Sequence, residues 1–381
     1  MGRRRLRPHP GAGCTPDSGV ILCEKAMLGF GGSRRHFLKM ATGLSAVAAS
    51  GVARAQFVAP AVSSGSSDDA STDAPVSIEV KARPIPWFDR HDHDRVRFGA
   101  LEYRSGLVLT SPFPRFGGLS GLRIDARGER FISFSDRGHW FTGRLLYEGR
   151  AMTGLADVES APMLGPDGKP ITTRGWFDSE SIALDGSFVY IGLERVNKVL
   201  RFDFSKGFTR ARGEVVPLPK AAGRLPNNKG LEALVFVPKG QVLAGTLIAL
   251  SERGLDANGN LIAFLVGGPA PGQFSVRRTE DFDISDAVLL PAGDLLILER
   301  KFSWLSGIGI RIRRIPLTSV APGAVIDGPS IFEADLANEV DNMEGIDAHL
   351  TAEGETVLTM VSDDNFSLIQ RTLLLQFTLV G

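Results

Sequence analysis

Residues 178–204 read DSESIALDGSFVYIGLERVNKVLRFDF, and they break into three short strands. Ser179 to Leu184 is the first, Phe188 to Leu193 the second and Lys198 to Phe204 the third. Asp185-Gly186-Ser187 is a tight-turn sequence, and Glu194-Arg195 interrupts the second apolar run. Turn residues between apolar and β-branched runs predict an antiparallel meander. The start of the first strand of a hairpin and the end of the second lie together. Glu180 and Glu194 are therefore expected on one rim.

The unit recurs along the chain. Leu119-Ser120-Gly121-Leu122 leads to Asp136-Arg137, and Leu231-Glu232-Ala233-Leu234 leads to Glu252-Arg253. Ser285-Asp286-Ala287-Val288 leads to Glu299-Arg300, and Met343-Glu344-Gly345-Ile346 leads to Asp363-Asp364. The first column is then Ser120, Glu180, Glu232, Asp286 and Glu344, at spacings of 60, 52, 54 and 58. The second is Asp136, Glu194, Glu252, Glu299 and Asp363. A β repeat of this length is what one propeller blade needs. The expectation is an all-β chain with a single β-propeller over residues 97–381. Six blades are expected, the sixth built from Arg97 to Ser111 together with Arg371 to Val380; five is the alternative. Long segments of helical period and a G-x-G-x-x-G turn are absent from the sequence, which argues against α/β folds.

The N-terminus reads as an address. Ser33-Arg34-Arg35-His36-Phe37-Leu38-Lys39 matches the twin-arginine export pattern, followed by an apolar run from Met40 to Val52 and an Ala53-Arg54-Ala55 cleavage site. Residues 1–55 are read as this signal peptide, with 1–26 an extension if Met27 is the start. Residues 56–96 are a linker and N-terminal segment, its first part rich in Ala, Ser, Asp and Pro. Export through the twin-arginine machinery to the periplasm or beyond follows as an expectation. The apolar run is too short for a stable membrane span, and a monomer is expected.

Charge narrows the partners. The chain is neutral as a whole, but nine of its basic and two of its acidic residues lie in residues 1–55. The remaining 34 basic and 41 acidic residues give a net charge of −7, which argues against nucleic acid. Both cysteines, Cys14 and Cys23, lie in the same N-terminal part, so the remainder has no thiol chemistry. His91-Asp92-His93-Asp94 is read as a solvated loop, because adjacent side chains do not converge easily on one ion.

If the ring closes, the columns gather acids around the channel mouth. Crowded carboxylates raise one another's pKa or call for a cation, and oxygen ligands suit Ca²⁺. On this basis Glu180, Glu232, Asp286 and Glu344 are the candidate catalytic acids. Asp136, Glu194, Glu252, Glu299 and Asp363 are the candidate metal ligands. Arg137, Arg195, Arg253 and Arg300, with His139 on the rim loop, are the candidate groups for an anionic substrate. The bland alternative for the acid–Arg pairs is a set of blade-to-blade salt bridges. Trp140, Trp176 and Trp304 are candidates for the rim. The mouth between the Ser120 and Glu180 blades is the first place to look for a ligand.

Gly117-Gly118-Leu119-Ser120-Gly121 with Ser135-Asp136-Arg137-Gly138, Asp178-Ser179-Glu180-Ser181-Ile182, Asn228-Lys229-Gly230-Leu231-Glu232-Ala233 and Asn342-Met343-Glu344-Gly345 together resemble the phytase-like family, esterase-like activity of phytase. That resemblance implies an exported bacterial propeller with phosphatase or esterase activity, and by motif it marks Glu180, Glu232 and Glu344. Asp286 and Ser120 depart from a uniformly acidic ring. The expected function is hydrolysis of phosphate or carboxylic esters, assisted by Ca²⁺. The alternatives are a non-catalytic periplasmic binding propeller and a calcium-dependent lactonase.

Overall fold

The computed structural model describes residues 75–303 and 307–380. The signal-peptide pattern, both cysteines, most of the linker and Trp304 lie outside the described residues. The fold is all-β, with only four short 3-10 turns as helical elements among the described residues.

Five sheets make five blades, each running outward from an inner strand; their strands pair antiparallel except for the outermost strand of the third sheet, Val325–Ile326, which pairs parallel with Gly272–Val276. The inner strands are Leu119–Ile124, Ser179–Asp185, Leu231–Phe236, Asp283–Leu289 and Met343–Leu350, for blades 1 to 5 in chain order. Each inner strand packs against the next, and the last packs against the first, so the ring closes.

The core divides the same way. Each of five apolar clusters is shared by two neighbouring blades. Phe134, Trp140, Ile182 and Phe202 fill the seam between blades 1 and 2. Leu107, Leu122, Phe141 and Leu374 fill that between 5 and 1. The remaining three clusters occupy the seams 2–3, 3–4 and 4–5. A blade is a twisted sheet apolar on both faces, and it hides them only between two neighbours.

The expected sixth blade is a correction. Thr372–Leu379 does pair with Leu101–Thr110, but the pair does not stand alone. Thr372–Leu379 also pairs with Thr356–Ser362, so the two chain ends supply the outer half of blade 5. Blade 5 thus has strands from both ends of the described chain, which locks the ring without adding to it.

Register corrects blade 4 as well. In every blade the cross-strand register skips one residue near the start of the inner strand, a β-bulge. The bulge residues are Ser120, Glu180, Glu232, Ser285 and Glu344. The first column is therefore completed by Ser285, not Asp286. Correspondingly, Asp283 pairs with Arg300 and Ile284 with Glu299. In the other four blades Asp136, Glu194, Glu252 and Asp363 donate their backbone N–H to the carbonyl at the place of Asp283, namely Gly118, Asp178, Gly230 and Asn342. Arg300, not Glu299, holds that place in blade 4. A slip of one residue turns each side chain to the other face, so Asp286 and Glu299 leave the rim.

Glu299 is fully buried inside blade 4. Its carboxylate accepts from Arg311 Nε at 2.8 Å and from Arg313 Nε at 2.9 Å. This is the salt-bridge alternative, realised within one blade instead of between blades.

Candidate functional site

Below the bulges, the next position of each inner strand is small: Gly121, Ser181, Ala233 and Gly345, with Asp286 in blade 4. The strands crowd here; a Cβ added to Gly345 would lie 2.7 Å from Gly121 Cα. One side chain fills the space. Arg123, 6% exposed, sends its guanidinium across the channel. Nη1 donates to Leu122 O at 2.7 Å, Ile346 O at 3.0 Å and Asp286 Oδ2 at 3.0 Å. Nη2 donates to Leu234 O at 3.2 Å, Ala287 O at 3.2 Å and Ile182 O. Those five carbonyls come from the five blades at one register position. Arg123 therefore stoppers the channel and ties all five inner strands together.

Asp286 completes the stopper. Besides Arg123 it accepts from Ile346 N at 2.9 Å. Burial raises its pKa, and Arg123 opposes the rise. Asp347 accepts from Ile124 N at 2.5 Å, and burial pushes its pKa up to about 6 against the pull of Arg123. Asp286 is thus structural machinery of the channel, committed to Arg123.

Above the stopper lies the acidic mouth. Glu194 from blade 2 and Glu232 and Glu252 from blade 3 bring one carboxylate oxygen each to within 4.8 Å of one another, and all three are buried. Glu194 is fixed by Gly230 N, 3.1 Å from its Oε1, so the start of blade 3 holds the end of a blade 2 strand. Lys229 Nζ stands 3.9 Å from Glu252. On the other side of Glu232, Arg300 reaches over from blade 4. Its Nη2 is 3.7 Å from Glu232, and its Nη1 donates to Glu344 and Asn342. Asn342 Nδ2 donates to Glu344 at 3.0 Å. Arg300 stands where the other blades carry an acid, and it compensates two of the mouth's carboxylates.

Glu180 is the carboxyl left without such compensation. Its pKa is raised well above the usual range, by burial first and then by Glu232, Glu194, Asp178 and Glu344. A carboxyl whose pKa is raised on folding holds its proton better folded than unfolded. Its contribution to stability is full below the ordinary carboxylate range and is lost as pH rises toward the raised value. Glu180→Gln is therefore expected to raise the melting temperature of the metal-free protein by about 2 °C at pH 8 and to leave it unchanged at pH 4. Calorimetry at the two pH values, with chelator present, checks the difference.

The other proposed residues sit around this mouth. Asp136 and Asp363 stand at the blade 1 and blade 5 places of the second column and are buried. Arg137 lies over the Phe366 ring at 3.4 Å and Arg195 over Phe177 at 4.8 Å; both are exposed at the rim. Arg253 is held by Asp283, with Nε 3.0 Å from Oδ1. His139 is buried, with Nε2 2.9 Å from Arg115 Nη1 and Nδ1 3.3 Å from Arg137 O. Burial and Arg115 push its pKa down to about 4, so it is neutral, accepts at Nε2 and donates at Nδ1. Trp140 is not on the rim; it is fully buried against Phe202 and Phe204. In the His91 loop Asp89 accepts from His91 N and Asp92 N, and His93 stacks on Trp87.

The carboxylate cluster falls between blades 2 and 3, one seam further round than the Ser120–Glu180 mouth. Sequence reasoning named its three members but missed Arg123. Its one signal was an arginine at an inner-strand position that Ala183, Val235 and Val288 fill elsewhere.

A closed five-bladed β-propeller, stoppered by an arginine beneath an acidic mouth, is the class of protein these elements define. The chain belongs to the phytase-like family, described as esterase-like activity of phytase, whose match spans residues 114–366. No curated protein matches the sequence. Similar solved structures include Myxococcus xanthus glutaminyl cyclase, at 11% identity, 81% of this chain, 100% of that one and a TM-score of 0.36. They also include the PQQ-bound aldose sugar dehydrogenase of Streptomyces coelicolor, at 12% identity, 80% and 99% coverage and a TM-score of 0.35. Among the described residues no helix is long and apolar enough to cross a membrane.

Proposed function

We propose that this chain is an exported hydrolase of phosphate or carboxylic esters, working at the mouth between blades 2 and 3 with Ca²⁺. The observation that carries the proposal is the convergence of Glu194, Glu232 and Glu252 within 4.8 Å, next to a Glu180 held protonated above the usual range. Buried carboxylates with only partial cationic compensation fit a hard cation, which takes six to eight oxygen ligands. Those three glutamates would hold it, with Glu180 and Glu344 alongside. The ion would supply positive charge to the oxygens of the bound ester.

The chain's own groups do the rest. Hydrolysis adds water to phosphorus or carbonyl carbon, breaks the ester P–O or C–O bond, and returns one proton to the leaving oxygen. Glu180 in its protonated form can give that proton, since burial and the neighbouring carboxylates raise its pKa above the usual carboxylate range. Arg300 holds Glu344 and Glu232 in place. Arg137 and Arg195 stand exposed at the rim, where guanidinium groups can pair with the ester's oxyanion. The twin-arginine pattern of residues 33–39 supports the reading that this work is done outside the cytoplasm.

Assays of a phosphomonoester, a carboxylic ester and a lactone with calcium, and again with chelator, test this reading. Calcium-dependent turnover of either ester is expected. A calcium-raised melting temperature with no turnover of the three substrates would leave a binding propeller in its place.

A further inference from the structure

The opposite end of the channel carries a second site of opposite character. His349 lies five residues beyond Glu344 on the inner strand of blade 5, at the far end of the ring from the acidic mouth. There, between blades 5 and 1, a cleft of about 470 Å³ is lined by Arg104, Arg127, Arg150, Tyr147, His349 and Gln376, among others. Three guanidinium groups face two carboxylates, Glu353 and Glu355, so the cleft is net positive. The chain beyond residue 55 carries a charge of −7, which makes a basic cleft on it unexpected.

The cationic groups are built into position. Glu355 accepts from Arg104 Nη1 and from Arg150 Nη2, each at 2.9 Å. Thr378 Oγ1 accepts from the same two nitrogens at 3.0 and 3.2 Å. The two guanidiniums are thus held side by side. Tyr147 Oη donates to Gly128 O at 2.9 Å and accepts from Gln376 Nε2 at 2.9 Å. Gly128 is in the left-handed region, and a Cβ there would come within 2.3 Å of His349 Nε2. The turn packs directly on the imidazole, and only glycine fits.

Three buried polar atoms of these residues have no hydrogen-bond partner among the described residues: Arg104 Nε, His349 Nδ1 and Gln376 Oε1. His349 is 7% and Gln376 1% exposed. An orphaned buried polar atom costs about 1–3 kcal/mol, and three lining one cleft point to something that satisfies them. Arg104 Nε is a donor, Gln376 Oε1 an acceptor, and His349 Nδ1 a donor in the matching tautomer. The set is complementary to an oxyanion that also carries a hydroxyl.

We propose that this cleft binds a small hydroxylated oxyanion, the shared chemistry of sugar phosphates and hydroxycarboxylates. Arg104, Arg127, Arg150 and His349 meet the anion, and Gln376 accepts from the hydroxyl. His349 is neutral at neutral pH, since burial and Arg104 lower its pKa against the pull of Asp125. A bound anion favours the imidazolium.

The test is titration of the calcium-free full chain with glucose 6-phosphate, malate and inorganic phosphate, followed by calorimetry and by the imidazole resonances. Saturable binding of glucose 6-phosphate or malate tighter than inorganic phosphate is expected, with Kd on the order of 1 mM or below. Which of the two binds more tightly assigns the anion as phosphate or carboxylate. Arg127 and Arg150 are both exposed, so the R127A/R150A double variant keeps its fold. It is expected to weaken binding at least about tenfold while its calcium response stays unchanged. Binding of none of the probes below ~10 mM, or binding indifferent to the double variant, overturns the proposal.

Discussion

Replacing Arg123 by Met lowers the melting temperature by about 10 °C at pH 8, and by less at pH 5. Arg123 is paired with Asp286 and donates to carbonyls of all five blades. Met fills the space and removes the donors. Taking one partner from a buried ion pair costs about 3–5 kcal/mol, because the other charge remains buried. In a domain of this size that is a fall on the order of 10 °C. The pH dependence follows from the carboxylates left behind. Burial raises the pKa of both Asp286 and Asp347, and Arg123 opposes the rise in each more than any other group. Without it both pKa values climb further. A raised carboxyl pKa is a stability loss that deepens as pH rises and is relieved by protonation, so acid recovers part of what the variant loses. A fall of equal size at pH 5 and pH 8 would show that lost packing, not uncompensated charge, is responsible.

The ring was legible because turn residues punctuate it. Asp185-Gly186-Ser187 and its counterparts break the apolar runs at blade length, and bulge residues at strand starts mark each repeat. Blade number was not legible in the same way. Leu101–Thr110 and Thr372–Leu379 are strong strands at both ends of the described chain, and only their pairing shows that they finish blade 5. Blade 4 misled for a different reason. Its acids, Asp286 and Glu299, each lie one residue away from the places that Ser285 and Arg300 hold. The small residues that follow Glu180, Glu232 and Glu344 do not resolve it, because Asp286-Ala287 has the same acid-then-small order. Only the cross-strand register puts Ser285 at the bulge and Asp286 in the small-residue layer, where it reaches Arg123. Pairing across the channel is a long-range fact, and no local spacing in the sequence encodes it.

Glu232→Gln separates the acidic mouth from the scaffold beneath it. Glu232 stands with Glu194 and Glu252 in the carboxylate cluster, lies 3.7 Å from Arg300, and is the charge that raises the pKa of Glu180 most. Gln keeps the shape and removes one negative charge. Three consequences are expected together. The calcium-induced rise in melting temperature shrinks, because a hard cation loses one of few charged ligands. Turnover of the ester falls on the order of 100-fold, the size of effect that removal of one charge-stabilising or proton-handling group has elsewhere. The pKa of Glu180 drops as the like charge that raises it most disappears, so the alkaline limb of the pH–rate profile moves to lower pH. A residue that only supports the fold would not move that limb. Glu299→Gln is the control: it breaks the pairs with Arg311 and Arg313 inside blade 4 and lowers stability. It leaves the calcium response and the pH profile where they were. If Glu232→Gln behaves like Glu299→Gln, the cluster between blades 2 and 3 is a packing device and the hydrolytic centre lies elsewhere on the ring.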